Sequence, residues 1–208
     1  MTISGRLLAM LGMFFLLAGC VDRPMEQALA PATPVSLLIQ RLDDPTQPNI
    51  VYSSRKIYQR GPDRLEGGDI PPDRIGWTLL GLQDRLTGQR RFRVTASMTY
   101  DNEESAGYRE YDRAQVMPDG PPLAVQPFSR NRGNCAGGNQ QPFCITHETV
   151  FIWLSEENLQ SAGPEGLGLQ LAGISGRGWE FTVPQDLIAA LFGRMAATVQ
   201  PAAPVSSS

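Results

Sequence analysis

The chain has 208 residues, of which 41% are hydrophobic, and its 18 basic and 21 acidic residues give a net charge of −3. This length fits one domain with a sizeable core. The acidic balance argues against a nucleic-acid partner, because proteins that bind nucleic acid usually have a surplus of basic residues on one face. The only lysine, Lys56, follows Arg55 instead of a glycine, which excludes a phosphate-binding Walker A loop.

The N-terminal segment combines one positive charge with a short apolar run. Arg6 precedes residues 7–18, a run of about a dozen residues that is too short to cross a hydrocarbon core of roughly 30 Å. It ends in Leu17-Ala18-Gly19-Cys20, which resembles the lipobox of bacterial lipoproteins. The resemblance implies that residues 1–19 are a signal peptide and that acyl chains on Cys20 anchor the mature chain in a membrane.

The residues after the lipobox indicate in which membrane the chain is anchored and how the folded domain is linked to it. Val21 occupies the place where Asp favours inner-membrane retention in enterobacterial lipoproteins, so the resemblance implies the outer membrane of a bacterial cell envelope, with the protein facing the periplasm. Residues 20–34 contain closely spaced prolines and no apolar period, which predicts a flexible tether. A single β-rich domain is expected over residues 35–197, followed by a disordered tail over residues 198–208.

Short apolar stretches separated by turn residues predict about eight strands in this domain. The first two are expected at residues 35–40 and 49–60, the second with a bulge near Ser53-Ser54. The clearest hairpin joins residues 77–85 to residues 90–100. Further strands are predicted at residues 108–117, 123–128, 143–154, 167–171 and 179–183.

Residues 143–154 are predicted to form a central strand. From Val150 onward both alternating sets of side chains are apolar, which is typical of a strand buried on both faces. The three tryptophans, Trp77, Trp153 and Trp179, all lie on predicted strands and are expected in the core. A solvent-exposed tryptophan would instead favour a platform for carbohydrate.

Two helices are predicted near the C-terminus. Ser155 is placed to cap a short helix, and Pro184 to open a longer amphipathic one. The longer helix has an apolar stripe that should pack on the sheet: Leu187, Ile188, Leu191, Phe192 and Met195. The fold predicted from the whole pattern is mainly β, an antiparallel β-sandwich or a partly open barrel with a C-terminal amphipathic helix.

Cys135 and Cys144 are the two cysteines that remain after Cys20. Outside the cytoplasm we expect them to form a disulfide. A zinc site made of these cysteines with His147 and Glu148 is the alternative. The compartment, the lack of a Cys-x-x-Cys pair and strand geometry, which turns His147 and Glu148 to opposite faces, argue against it. We therefore predict no metal and no other cofactor.

His147 is the only histidine, so any hydrolytic triad must use it. No Gly-x-Ser-x-Gly motif accompanies it. The carboxylates available for glycosidase chemistry are Asp101, Glu103, Glu104 and Glu148. No catalytic residue is predicted, and the enzymatic alternative is a cleft near His147 and Glu148.

The region from Cys135 to Leu191 has the order Cys, Cys-x-x-His-Glu, an apolar strand, Val183-Pro184 and a closing helix. This order resembles a group of uncharacterised envelope proteins of proteobacteria, and the resemblance implies no active residues. We therefore expect a non-enzymatic, membrane-anchored envelope lipoprotein that acts as a structural or interaction module for another envelope protein. The alternative is a periplasmic hydrolase or carbohydrate-binding module.

Overall fold

The structure is a computed structural model that describes residues 38–61, 73–103, 107–136, 143–174, 176 and 178–197. Contacts divide the chain into two units, Met1–Ala32 and Thr33–Ser208, and every described residue belongs to the second. The predicted signal peptide, the predicted acylation site Cys20, the predicted tether and the predicted tail lie outside the described residues. No helix in the described ranges is long and apolar enough to cross a membrane.

Eleven strands and two helices occupy the described part of the chain. They are, in order, β1 (Ile39–Leu42), β2 (Asn49–Ser54), β3 (Ile57–Arg60), β4 (Arg74–Asp84), β5 (Arg90–Glu103), β6 (Tyr111–Val116), β7 (Pro122–Leu123), β8 (Val125–Ala136), β9 (Phe143–Leu154), α1 (Glu156–Gln160), β10 (Leu167–Gly173), β11 (Gly178–Val183) and α2 (Gln185–Ala196).

The strands form two antiparallel sheets that pack face to face. One has the order β1-β2-β4-β5-β9-β8, with β3 also paired to β4, and the other has the order β11-β10-β6-β7. Trp77 of β4 stacks on Phe181 of β11 with ring centres 5.5 Å apart. Tyr100 of β5 meets the edge of Tyr111 of β6 at 6.4 Å. The fold is therefore a sandwich of two sheets and not a partly open barrel.

Side-chain alternation divides the seven-stranded sheet into two faces. The inner face is the side toward the four-stranded sheet, and the outer face is the opposite side. On β5 the inner positions are all buried in the common core: Phe92, Val94, Ala96, Met98 and Tyr100. The residues between them point outward and are half-buried or exposed, so the predicted alternation of this strand is confirmed.

Helix α2 completes the core beside β1, β2 and β4. Four members of the predicted stripe are buried, and each contributes about 1.5–3 kcal/mol by leaving water: Leu187, Ile188, Leu191 and Met195. The helix lies close to the sheet because β4 has a glycine there. A Cβ at Gly81 would stand 2.6 Å from the Met195 sulfur.

Several strand predictions were wrong in extent. The single strand predicted at residues 49–60 is two strands, β2 and β3, which both pair with β4. The predicted bulge near Ser53-Ser54 is in fact the point where the chain leaves the sheet after Ser54. The strand predicted at residues 123–128 is also two strands, β7, which ends at Leu123, and β8, which continues to Ala136. The first strand, predicted at residues 35–40, continues to Leu42, and residues 35–37 lie outside the described residues.

Strand β8 is an edge strand of the seven-stranded sheet, at the opposite end from β1. Its pairing with β9 shifts register twice, between Pro127 and Ser129 and between Arg132 and Cys135. Pro127 also lacks a backbone N–H to donate. The edge therefore does not present a continuous row of hydrogen-bonding groups.

Gly173→Ala should lower the free energy of unfolding by about 1–3 kcal/mol. A Cβ at Gly173 would stand 2.3 Å from the backbone oxygen of Arg109, so a backbone segment would have to shift to accommodate it. The matched control is Gly193→Ala in α2, where a Cβ meets nothing within 4 Å and alanine favours the helix. Urea unfolding measures both, and an unchanged midpoint for Gly173→Ala would contradict the close approach.

Candidate functional site

His147 and Glu148 are neighbours on β9 and point to opposite faces of the sheet. His147 is exposed on the outer face, and its Nδ1 lies 3.0 Å from the Thr99 hydroxyl of β5. Glu148 points to the inner face and is 1% exposed. The structure therefore does not bring these two side chains together in one cleft.

The Glu148 carboxylate has three partners in the interior. Its Oε1 accepts hydrogen bonds from the Tyr100 hydroxyl and, at 3.2 Å, from the backbone N–H of Glu110. Arg130 Nε lies 3.3 Å from Oε2 outside hydrogen-bond geometry, so it contributes mainly charge. A buried carboxylate costs several kcal/mol unless it is paired and hydrogen-bonded, and these partners compensate that cost.

Tyr100 and Arg109 extend this cluster to the segment before β6. The Tyr100 hydroxyl accepts a hydrogen bond of 3.0 Å from the Arg109 backbone N–H. The Arg109 guanidinium lies over the Tyr100 ring at 3.9 Å and is 2.6 Å from the Asp73 carboxylate. The cluster therefore fastens residues 107–110 to β5 and β9 and holds the two sheets together.

The pKa values of two groups in the cluster are shifted by this environment. Burial, followed by the hydrogen bond to Glu148, raises the pKa of Tyr100 above its ordinary value, so its hydroxyl stays protonated and donates to the carboxylate. Burial alone would lower the pKa of Arg109, but hydrogen bonds to Asp73 and Tyr111 outweigh it and raise the pKa. The two shifts keep the Tyr100 hydroxyl protonated and the Arg109 guanidinium charged, and these are the states in which both groups can donate hydrogen bonds.

Cys135 and Cys144 face each other across β8 and β9, with their sulfurs at disulfide distance. Joined in this way, the sulfurs are not thiolate ligands for a zinc ion. Within the described ranges, no group of three or more His, Cys, Asp or Glu side chains is arranged to hold a metal. Of the other candidate carboxylates, Asp101 is buried, and the side chains of Glu103 and Glu104 lie outside the described residues.

The three tryptophans do not share one environment. Trp77 and Trp179 are in the core, as predicted. Trp153 is half-buried on the outer face of β9, so its predicted core position was wrong. The reason is that the second sheet covers only the inner face, which a run of apolar residues on both sides of a strand does not reveal.

Trp153 belongs to a group that we call the arginine–aromatic face: Arg91 and Arg93 of β5, Phe151 and Trp153 of β9, and Phe128 of β8. The Arg93 guanidinium lies 3.9 Å from the centre of the Phe151 ring and 5.6 Å from that of Trp153, and Arg91 lies 5.8 Å from Trp153. Phe128 stacks on Phe151 at 4.7 Å and is 65% exposed. Cation–π contacts of this kind, each worth about 0.5–1 kcal/mol at exposed sites, hold the guanidinium groups in place.

The charges of Arg91 and Arg93 are not neutralised by ion pairs within the ranges that the structure describes. Neither Arg91 nor Arg93 forms an ion pair with any residue that the structure describes. Burial, and then the positive charge of Arg91, lowers the pKa of Arg93. Hydrogen bonds from Thr87, and to a smaller extent the positive charge of Arg91, lower the pKa of Asp84 at the end of β4, where Leu86 and Thr87 of the turn donate to its carboxylate. The arrangement favours the approach of an external anion.

Exposed apolar side chains also concentrate on the outer face. Six large hydrophobic side chains are exposed among the described residues, and four of them occupy outward strand positions. These four are Leu42, Tyr58, Phe128 and Ile145. The remaining two, Leu86 and Ile174, lie in turns. Of these four, Phe128 belongs to the arginine–aromatic face.

A separate groove of about 470 Å³ lies beside the ends of β3, β10 and β11. Its described lining includes Arg60, Trp179 and Glu180. It contains neither His147 nor Glu148, so it does not supply the cleft that the enzymatic alternative requires. The arginine–aromatic face is therefore the stronger candidate site.

Comparison of the chain with protein-family models, curated proteins and solved structures finds no match. The candidate site therefore depends on geometry and chemistry alone. A signal for it was present in the sequence, since Arg91 and Arg93 alternate with the core residues of a clear hairpin arm. Their proximity to Phe151 and Trp153 required knowledge of the β5–β9 pairing.

Tyr100→Phe should destabilise the protein by about 1–3 kcal/mol, because the buried Glu148 carboxylate loses a donor. The variant should also change the pH dependence. The folded-state pKa of Tyr100 is raised above the ordinary 10.0, so the wild-type free energy of unfolding falls as the pH rises above that value. Part of this decrease should be missing in Tyr100→Phe. Denaturant titrations at neutral pH and at a pH of about 11 measure both effects.

The matched control for this experiment is Tyr58→Phe, which removes a hydroxyl from an exposed tyrosine. It should leave stability and its alkaline decrease unchanged. If Tyr100→Phe behaved like Tyr58→Phe, the buried cluster would not be the link between the sheets that we describe.

Proposed function

We propose that this chain is a lipid-anchored interaction protein of the bacterial cell envelope. In this proposal acyl chains on Cys20 hold it in the outer membrane, it faces the periplasm, and it binds an envelope partner through the arginine–aromatic face. The single observation that carries the binding role is the position of Arg93, held against Phe151 and beside Trp153 on the outer face of the seven-stranded sheet. The anchor is supported by Leu17-Ala18-Gly19-Cys20.

The composition of the outer face supports a binding role. Binding surfaces are enriched in aromatic residues and arginine and are depleted in acidic residues, and their energy is concentrated in a few Trp, Tyr and Arg side chains. Arg93 and Trp153 are directly opposite each other in the β5–β9 register. This pair has the residue types and central position that binding hot spots have.

The surroundings of His147 and Glu148 favour binding over the hydrolase alternative. A general acid or base must reach its substrate within hydrogen-bond distance. Glu148 is enclosed by Tyr100, Glu110 and Arg130, and His147 lies on the other side of the sheet. The proposed role of the described domain is accordingly recognition without catalysis.

In-cell photocrosslinking tests the proposed surface. A photoreactive residue at Thr95, which lies among the residues of the arginine–aromatic face, should form crosslinks that Arg93→Gln removes. The same photoreactive residue placed at position 170 instead of Gln170, on the outward side of β10, should not form these crosslinks. Equal crosslinking from both positions, or none from Thr95, would contradict the proposal.

Cys20→Ser should abolish metabolic labelling with palmitate, because serine has no thiol to acylate. The matched control replaces Cys135 and Cys144 together by serine. This control should stay labelled, since these cysteines are bonded to each other in the folded domain. Palmitate incorporation into the Cys20→Ser chain would show that the anchor is elsewhere.

A further inference from the structure

We propose that the arginine–aromatic face binds an acidic glycan, a sugar polymer that carries carboxylate groups. This inference deepens the proposed function, on which it rests, by naming the chemical class of the envelope partner. Three properties of the face support it: unneutralised arginines, accessible aromatic rings and rows of hydroxyl side chains.

The arginines supply charge complementarity to a carboxylate. Arg91 and Arg93 point outward from the same strand, and no carboxylate in the described part of the chain forms an ion pair with either. The Nε of Arg93 is buried and has no hydrogen-bond partner in the described residues. A guanidinium group matches the geometry of a carboxylate and forms strong charge-assisted hydrogen bonds with it.

Among the side chains that the structure describes, none at the centre of the outer face is acidic. In the seven-stranded sheet, the outward carboxylates whose side chains the structure describes stand only at strand ends, as Asp84 of β4 and Asp101 of β5. Asp84 accepts hydrogen bonds from Leu86 and Thr87 in its own turn, and Asp101 is buried. The face is therefore positive although the chain has a net charge of −3.

The aromatic rings supply stacking surfaces for sugar rings. A sugar ring presents C–H groups on its faces and hydroxyls around its rim, so it stacks on an aromatic ring and hydrogen-bonds at its edge. Phe128 is largely exposed, and Trp153 is half-buried with its indole N–H 3.3 Å from Gln126. These two rings lie on adjacent strands, and hydrogen bonding and stacking hold them in place before any ligand arrives.

Hydroxyl side chains continue the face beside the rings. Register places Ser97, Thr149 and Ser129 in one row across β5, β9 and β8, and Thr78 and Thr95 in the next row. Each hydroxyl both donates and accepts, which matches the hydroxyl groups of a sugar. Protein–protein interfaces are instead depleted in serine, so this row favours a glycan over an acidic protein.

The direct test measures binding of the detergent-solubilised full-length chain to polygalacturonate by isothermal titration calorimetry. Polygalacturonate combines sugar rings with carboxylates. Dextran supplies sugar without charge, and polyglutamate supplies carboxylates without sugar. We expect binding to polygalacturonate that is at least about tenfold tighter than to either comparator, because each comparator lacks one of the two interactions.

Variants test whether polygalacturonate binds at the arginine–aromatic face. Arg93→Gln should weaken polygalacturonate binding at least about tenfold, the effect of removing one charge-assisted hydrogen bond. Phe128→Ser should also weaken it, and Phe128→Tyr, which keeps the ring, should not. Phe128 is exposed, so these changes leave the core intact. Arg113→Gln on β6 removes the same charge from the other sheet and should leave binding unchanged.

Other outcomes would overturn the inference. Equal binding to polyglutamate would indicate an acidic protein, and binding to phosphatidylglycerol vesicles or a single-stranded oligonucleotide without binding to polygalacturonate would indicate a lipid or nucleic acid. An effect of Arg113→Gln as large as that of Arg93→Gln would indicate non-specific charge attraction. If polygalacturonate did not bind but Thr95 still formed Arg93-dependent crosslinks to a protein in cells, the glycan class would fail and the proposed function would stand.

Discussion

The pleat of β9 is the constraint on which the rest of the structure depends. Successive side chains of a strand point to opposite faces, so this one strand supplies Glu148 to the interior and Phe151 and Trp153 to the surface. Glu148 needs the enclosed cluster around Tyr100 because a carboxylate without partners would be too costly inside the sandwich. The same pleat that buries Glu148 places the two aromatic rings beside the arginines of β5.

Among the described residues, some charged side chains form ion pairs with one another and others do not. Glu148 and Asp73 are engaged with Arg130 and Arg109 near the junction of the two sheets. Asp43 is engaged with Arg41 and Arg85 in the loop region after β1. Arg91 and Arg93 contact rings instead of carboxylates. A chain that is acidic overall thereby presents a positive surface, which its net charge alone does not reveal.

Local patterns in the sequence predicted much of the fold. The alternation along residues 90–100, the Ser155 cap and the apolar stripe of α2 were each confirmed, because each depends on neighbours in the chain. The split between β2 and β3, the length of β8 and the exposure of Trp153 depend on which strands pair and which face the second sheet covers. The candidate site was missed for the same reason, since Arg93 and Trp153 are 60 residues apart in sequence and meet only through the β5–β9 register.

The irregular edge of β8 limits how this sheet can associate. Unpaired edge strands act as templates for strands of other molecules, and natural proteins interrupt them with prolines and bulges. Pro127 and the two register shifts provide such interruptions along β8. Addition of a strand from another molecule along β8 is therefore disfavoured, while Phe128 on the same strand keeps its side chain exposed on the outer face.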